Sequence, residues 1–194
     1  MEGPLPETSA TSNPLKPIEF PFDERKALAA AAVLLKKASG EMRYFRLIKL
    51  IYIADRVSIA YRGHPIVGGF YVSMDNGPVN SQVFDLVKYG GEIWSTTIEK
   101  KNYDVRLIAE FDRGPLSNEE IALLHEVDDM LKKMDQWQIR DILHCLPEWK
   151  DPKGGSIPIS PEEILRALEL PEEKIEEIRQ DIIEREYFDE IFGV

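Results

Sequence analysis

The chain has 194 residues, 43% hydrophobic and 30% charged, enough for one domain with extensions that buries about 70% of its unfolded surface, and no apolar run approaches the roughly 18 residues of a membrane span. Its net charge of -11 argues against nonspecific nucleic-acid binding, which needs Lys and Arg to displace counterions from phosphates. A single cysteine, Cys145, excludes an internal disulfide, and the N-terminal stretch lacks the basic patch and apolar run of a secretory signal, so the expected compartment is the cytoplasm.

Residues 1–22 hold five prolines among Ser, Thr and Glu, too little apolar surface to offset the entropy of ordering, and read as a flexible lead-in. The domain is expected over 23–170. Its first helix is DERKALAAAAVLLKKAS (23–39), capped by Asp23 and stopped by Gly40. RYFRLIKLIYIADRVSIAYRG (43–63) follows with Tyr44, Leu47, Ile48, Ile51, Ala54 and Ser58 at steps of three and four, and with Phe45, Leu50 and Ile53 off that stripe. Such a helix is apolar nearly all round and belongs at the centre of a core.

The period then changes to two over 69–75, with Phe70, Val72 and Met74 on one side of a short strand and Tyr71, Ser73 and Asp75 on the other. DNGPVNS (75–81) breaks it. Gly77 tolerates positive φ, Pro78 turns Gly77 away from helix, and Asn80 or Ser81 caps the helix carrying Val83, Phe84 and Val87, which Gly90 and Gly91 end. VRLIAEF (105–111) alternates as a second strand, with 69–75 as the expected partner and WSTTIE (94–99) as a weaker third. Helices return after Ser117, with Glu120 at the capping-box position, and over QWQIRDILHCL (136–146); PEWKDPKGGSIPI (147–159) reads as a connection. Ser160 and Pro161 open another helix with Glu163 in the capping-box place, and Pro171 opens the last, lined by Ile175, Ile178, Ile182 and Ile191. The expected fold is α+β and mostly helical, a single helical domain with a small two- or three-stranded antiparallel sheet. Of the net charge, -8 falls in residues 161–194 and only -3 in all that precedes them, so 171–194 forms an acidic C-terminal amphipathic helix. That helix either meets a basic partner or completes the domain by packing on it.

The inventory for catalysis is thin. His144 and Cys145 are neighbours, and adjacent side chains on a helix diverge by about 100°, which spoils a thiolate–imidazole dyad; a buried, hydrogen-bonded histidine beside a small core cysteine is expected instead. HEVDD (125–129) is one residue from the zinc-protease pattern, with Asp129 where a second histidine would stand and no third ligand at a suitable spacing, so an acidic helix face is expected. His64 sits before the first strand as a turn residue, and Asp55 reads as a polar anchor for the central helix. No phosphate-binding loop, dinucleotide fingerprint or cysteine cluster occurs. These residues favour an interaction domain over an enzyme.

KLIYIADR (49–56), GHPIVGGFYVSMDNGPV (63–79), FDLVK (84–88) and LHCLPEWKD (143–151), in that order, resemble the Panacea domain, the SocA-like antitoxin family, across about residues 25–168. In that family a Leu-Tyr-x-Ala-Asp helix precedes a strand, a Gly-Pro-Val corner and a helix, and a His followed by Trp comes later. The resemblance implies an antitoxin of a prokaryotic toxin-antitoxin pair that neutralises a cognate toxin, encoded next to it, by direct protein contact. It implies no catalytic residue, and with the composition and spacings above no metal, cofactor, membrane or direct nucleic-acid binding is expected. The matching positions are Tyr52, Ala54, Asp55, Gly68, Tyr71, Gly77, Pro78, Val79, His144 and Trp149, serving either as scaffold or as toxin interface. The alternatives are a proteolysis or regulatory adaptor without toxin neutralisation, and a metal-dependent hydrolase built on His64, His125 or His144.

Overall fold

A helix that is apolar nearly all round has to be surrounded, and the central one is. The computed structural model describes residues 16–111 and 114–193. In it α1 (Glu24–Lys37) is capped by Asp23, which accepts from the Lys26 N–H at 2.9 Å, and α2 (Tyr44–Arg62) ends on Gly63 at φ 73°. α2 packs against α1, α3 (Ser81–Tyr89), α4 (Asn118–Leu131), α5 (Gln136–His144) and α6 (Pro161–Ala167). Leu47, Leu50, Ile51, Tyr52 and Ile59 are wholly enclosed by them. Removing that much apolar surface from water is the main term favouring the fold.

The helix starts follow local chemistry. Ser117 with Glu120, Asp135 with Gln138, and Ser160 with Glu163 each form a reciprocal capping box, which satisfies backbone donors that no earlier turn can reach. Asn80 accepts from the Gln82 and Val83 N–H groups, both at 3.1 Å, and starts α3.

The fold is α+β and mostly helical, as the sequence predicts, but its strands form two three-stranded antiparallel sheets instead of one. The first runs β1 (Glu41–Arg43), β5 (Asp104–Leu107), β4 (Ile98–Lys101); the second runs β3 (Val79–Asn80), β2 (Tyr71–Ser73), β6 (Ile157–Ile159). The expected pairing of the 105–111 strand with the 69–75 strand is therefore incorrect. β5 turns back on β4 through Asn102, at φ 56°, so that Lys100 faces Val105, and its other edge takes Met42. A tight local hairpin closes a far shorter loop than a return across some thirty residues. Trp94–Thr96, expected to begin the weaker strand, forms a single 3-10 turn. β6 lies inside the stretch read as a connection, and Pro158 is tolerated there because β6 is an edge.

The segment before α1 also packs on the domain. Residues 1–15 of the expected lead-in lie outside the described residues, whereas 16–22 run extended across the domain with Ile18 and Phe20 buried. The Ile18 N–H donates to Glu162 at 2.7 Å, the Gly69 N–H donates to the Phe20 carbonyl at 2.7 Å, and the Asp23 N–H donates to the Val67 carbonyl at 2.9 Å. Gly68 sits under this strap at φ 71°, and a Cβ there would stand 2.2 Å from the Pro21 carbonyl oxygen. Two apolar side chains and backbone partners suffice to order a strap, a signal that composition averaged over 22 residues dilutes.

At the other end, α7 (Glu172–Phe192) seats Ile175 and Ile178 in the core, with Ile178 against Gly63. Ile182 is half-buried, but Ile191, expected on the same line, is exposed. Among the described residues no helix is long and apolar enough to cross a membrane.

Replacing Phe20 with alanine is expected to lower stability by about 3 kcal/mol, whereas Phe70→Ala, at an exposed neighbour, changes it by no more than about 0.5 kcal/mol. Urea denaturation of the two variants checks that the strap is part of the folded unit.

Candidate functional site

One side of α2 is polar, and it faces inward. Lys49, Tyr52, Asp55 and Arg56 recur at helical spacing, and the first three are at most 1% exposed. A buried polar group without a partner costs about 1–3 kcal/mol, so each must be satisfied by what packs on it.

Asp55 accepts from the Ile66 and Val67 N–H groups through Oδ1, both at 2.9 Å, and from the Tyr71 hydroxyl through Oδ2 at 3.0 Å. It thereby ties the loop after α2 and the start of β2 to the centre of the domain. Burial pushes its carboxyl up to about 7, against the pull of those donors and of Asn80. Desolvation likewise lifts the Tyr52 and Tyr71 phenols well above their ordinary value, helped by the charges of Glu148 and Asp55 respectively, and the two rings meet edge to face at 5.9 Å.

Glu148, in the loop after α5, is the second hub. It accepts from the Tyr52 hydroxyl at 2.9 Å and from Arg56 Nε at 2.6 Å, with Arg56 Nη2 3.3 Å from its other oxygen. Beside it Trp149 stacks on the His144 ring at 3.9 Å and donates its indole N–H to the Met74 carbonyl at 3.1 Å. The Lys150 N–H donates to Ser73 Oγ at 3.1 Å. The loop after α5 is thus clamped onto both α2 and β2, with Trp149 at the end of α5.

Lys49 is the third hub. Its amine donates to the Gly77 carbonyl at 2.7 Å and to the Pro78 carbonyl at 2.9 Å, with the Phe45 ring 5.5 Å away. Burial lowers its pKa to about 7, and a neutral amine still has two N–H bonds for the two carbonyls. The corner it grips has Gly77 at φ 92°, with the Gly77 N–H donating to the Met74 carbonyl at 2.9 Å. Outside it, Asn76, Phe45, Tyr103, Trp137 and Arg43 border a shallow groove of about 390 Å³.

The ten expected positions therefore gather into one network and its packing. Tyr52, Asp55, Tyr71, His144 and Trp149 make its side-chain contacts, Gly77 and Pro78 supply carbonyls, Ala54 and Val79 pack in the core, and Gly68 passes beneath the strap. Lys49 and Glu148 complete it and were not singled out from sequence. A lysine inside the otherwise apolar stretch 47–54 was the available signal for the first; Glu148, in a loop, has no periodicity to betray it.

The three histidines stand on separate elements. His144 is not the hydrogen-bonded core histidine expected, since its enclosed Nε2 has no hydrogen-bond partner, and Cys145 is exposed, its thiol donating to the Asp141 carbonyl at 3.3 Å. α5 ends at His144, which turns Cys145 outward. Asp129 pairs with Lys37 at 2.7 Å, and the same amine donates to the His125 carbonyl at 2.7 Å. His64 Nδ1 lies 3.2 Å from the Pro65 carbonyl. Among the described residues no three His, Cys, Asp or Glu side chains are grouped so as to hold a metal. The network has two groups tuned near neutrality, a property shared with acid–base catalysts, but both are enclosed and committed to backbone partners. What it does is hold loops.

Compared with known families, residues 47–150 match the one described as "Antitoxin SocA-like, Panacea domain". The matched stretch contains all ten positions together with Lys49 and Glu148, and excludes the strap and α7. No curated protein and no solved structure matches the chain.

Gly77→Val is expected to cost about 1–3 kcal/mol, because its Cβ would be held at positive φ and 3.1 Å from Leu143 Cβ; a thermal melt measures it. Stability should also depend on pH in two opposed windows. Between the ordinary Asp value of 3.8 and about 7, the folded protein keeps the Asp55 proton that the unfolded chain has lost, so stability falls as pH rises. Between about 7 and 10.5 the unfolded chain keeps the Lys49 proton that the folded protein has lost, so stability rises with pH. Urea midpoints across pH should show Asp55→Asn removing the lower slope and Lys49→Met the upper, each about 1.4 kcal/mol per pH unit at full effect.

Proposed function

Because this chain belongs to the SocA-like Panacea domain family, we propose that it is the antitoxin of a prokaryotic toxin-antitoxin pair and neutralises its toxin by direct protein–protein contact in the cytoplasm. The observation that carries this reading is the family match over residues 47–150, which spans the whole polar network. In this reading the network is scaffold: its polar groups are spent on one another and on backbone, and they keep the loop after α2, the Gly-Pro corner and the loop after α5 in one arrangement. Neutralisation is then the work of the surface that this scaffold shapes, not of a reaction. The acidic balance, -11 overall, favours a basic protein partner over nucleic acid. Such a partner would be encoded beside this chain.

Co-expression with the product of the adjacent reading frame tests the proposal. Growth arrest by the neighbour alone, relieved when this chain is present, together with co-purification of the two, is the expected result. A harmless neighbour that does not co-purify would overturn it.

A further inference from the structure

α7 carries apolar residues on two opposite sides. Ile175, Ile178 and Ile182 face the domain, whereas Tyr187, Phe188, Ile191 and Phe192 are 61%, 57%, 53% and 68% exposed. At about 100° per residue the second set centres roughly half a turn away from the first. The domain that seats the first set therefore cannot cover the second. The free set contains the i+3 and i+4 steps (188 to 191, 187 to 191 and 188 to 192) with which a helix lays one face into a groove, and the rings of Phe188 and Phe192 are already stacked at 5.9 Å.

The near half of the helix is fixed. Arg179 is buried and pairs with Glu162 at 3.2 Å and Glu176 at 3.0 Å, and it donates to the Lys16 carbonyl. Lys16 in turn pairs with Glu186. The exposed face is thus presented on an anchored helix, which lessens the ordering cost of binding.

Charge selects the occupant. After Gln180 the sequence carries Asp181, Glu184, Glu186, Asp189 and Glu190 against Arg185 alone, a net -4. A second copy would set acidic flank against acidic flank, and residues 1–15 have only Glu2 and Glu7 as charges; both are repelled. An apolar groove rimmed by Lys and Arg is the complement. We propose that Tyr187, Phe188, Ile191 and Phe192 form the toxin-binding face, docking into a basic-rimmed apolar groove of the toxin; this rests on the antitoxin reading above. The face lies outside the family-matched stretch, so the shared core supplies the platform and α7 supplies selectivity for one partner.

The full-length chain and its Phe188→Ser/Phe192→Ser double variant are titrated against the product of the adjacent reading frame at low and high salt. Serine has about the helix propensity of phenylalanine, and both rings are exposed, so the variant should melt with the wild type while binding at least about tenfold more weakly. Wild-type affinity should fall as salt rises. Equal binding by wild type and variant, or salt-independent binding, overturns the assignment of this face and leaves the antitoxin reading standing. A wild-type dimer that the variant disperses also overturns it, in favour of a second copy. A wild type that neither binds nor neutralises overturns the antitoxin reading, and the toxin-binding role of the face falls with it.

Discussion

Asp55 is the residue on which the rest of the structure depends. It sits at the centre of a helix that the core surrounds, it is wholly buried, and its two oxygens gather the Ile66 and Val67 backbone and the Tyr71 hydroxyl. A carboxyl in that position is costly unless satisfied, and the segment that satisfies it is otherwise an irregular loop. The requirement therefore acts as a positional constraint: the loop after α2 has to return to one place. Once it does, Val67 and Gly69 are in position to bond the N-terminal strap, and Tyr71 begins the strand on which β3 and β6 pair.

Lys49 and Glu148 extend the same constraint along α2. Lys49 does for the Gly-Pro corner what Asp55 does for the loop, and Glu148 brings the segment after α5 to Tyr52 and Arg56. Three irregular segments are fixed to one helix by its buried polar groups. An apolar core tolerates many packings of similar volume, whereas a buried polar network accepts few. In this domain specificity of arrangement comes from the polar side of α2, and bulk stability from its apolar sides.

The strap and α7 lie outside the family-matched stretch but are built onto it. The Phe20 and Pro21 backbone crosses where Gly68 has no side chain, Ile178 seats against Gly63, and Arg179 joins α7 to the strap and to α6. The two glycines mark places where a side chain would have blocked an approach, so the additions and the core are adapted to each other. The acidity concentrated in α7 consequently belongs to a docked element with one face turned to solvent, which is the arrangement expected of a contact surface.

Much of this was legible in the sequence because it is local. The caps at Asp23, Ser117 and Ser160, the left-handed stop at Gly63, the all-round apolar pattern of α2 and the corner at Gly77 are each set within a few residues by hydrogen bonds and steric preference. Each motif that marks the family is likewise a short stretch of sequence. Tertiary structure alone decided the rest. β1 and β6 are three residues long, too short for a period to register, and their pairing depends on which edge the packed helices leave free. The strap that carries Ile18 and Phe20 is bonded to the loop that Asp55 holds, more than forty residues further along the chain. The partners of Lys49, Asp55 and Glu148 are 11 to 96 residues away, because a buried charge or carboxyl specifies that it must be satisfied and leaves the chain's path through space to determine by whom.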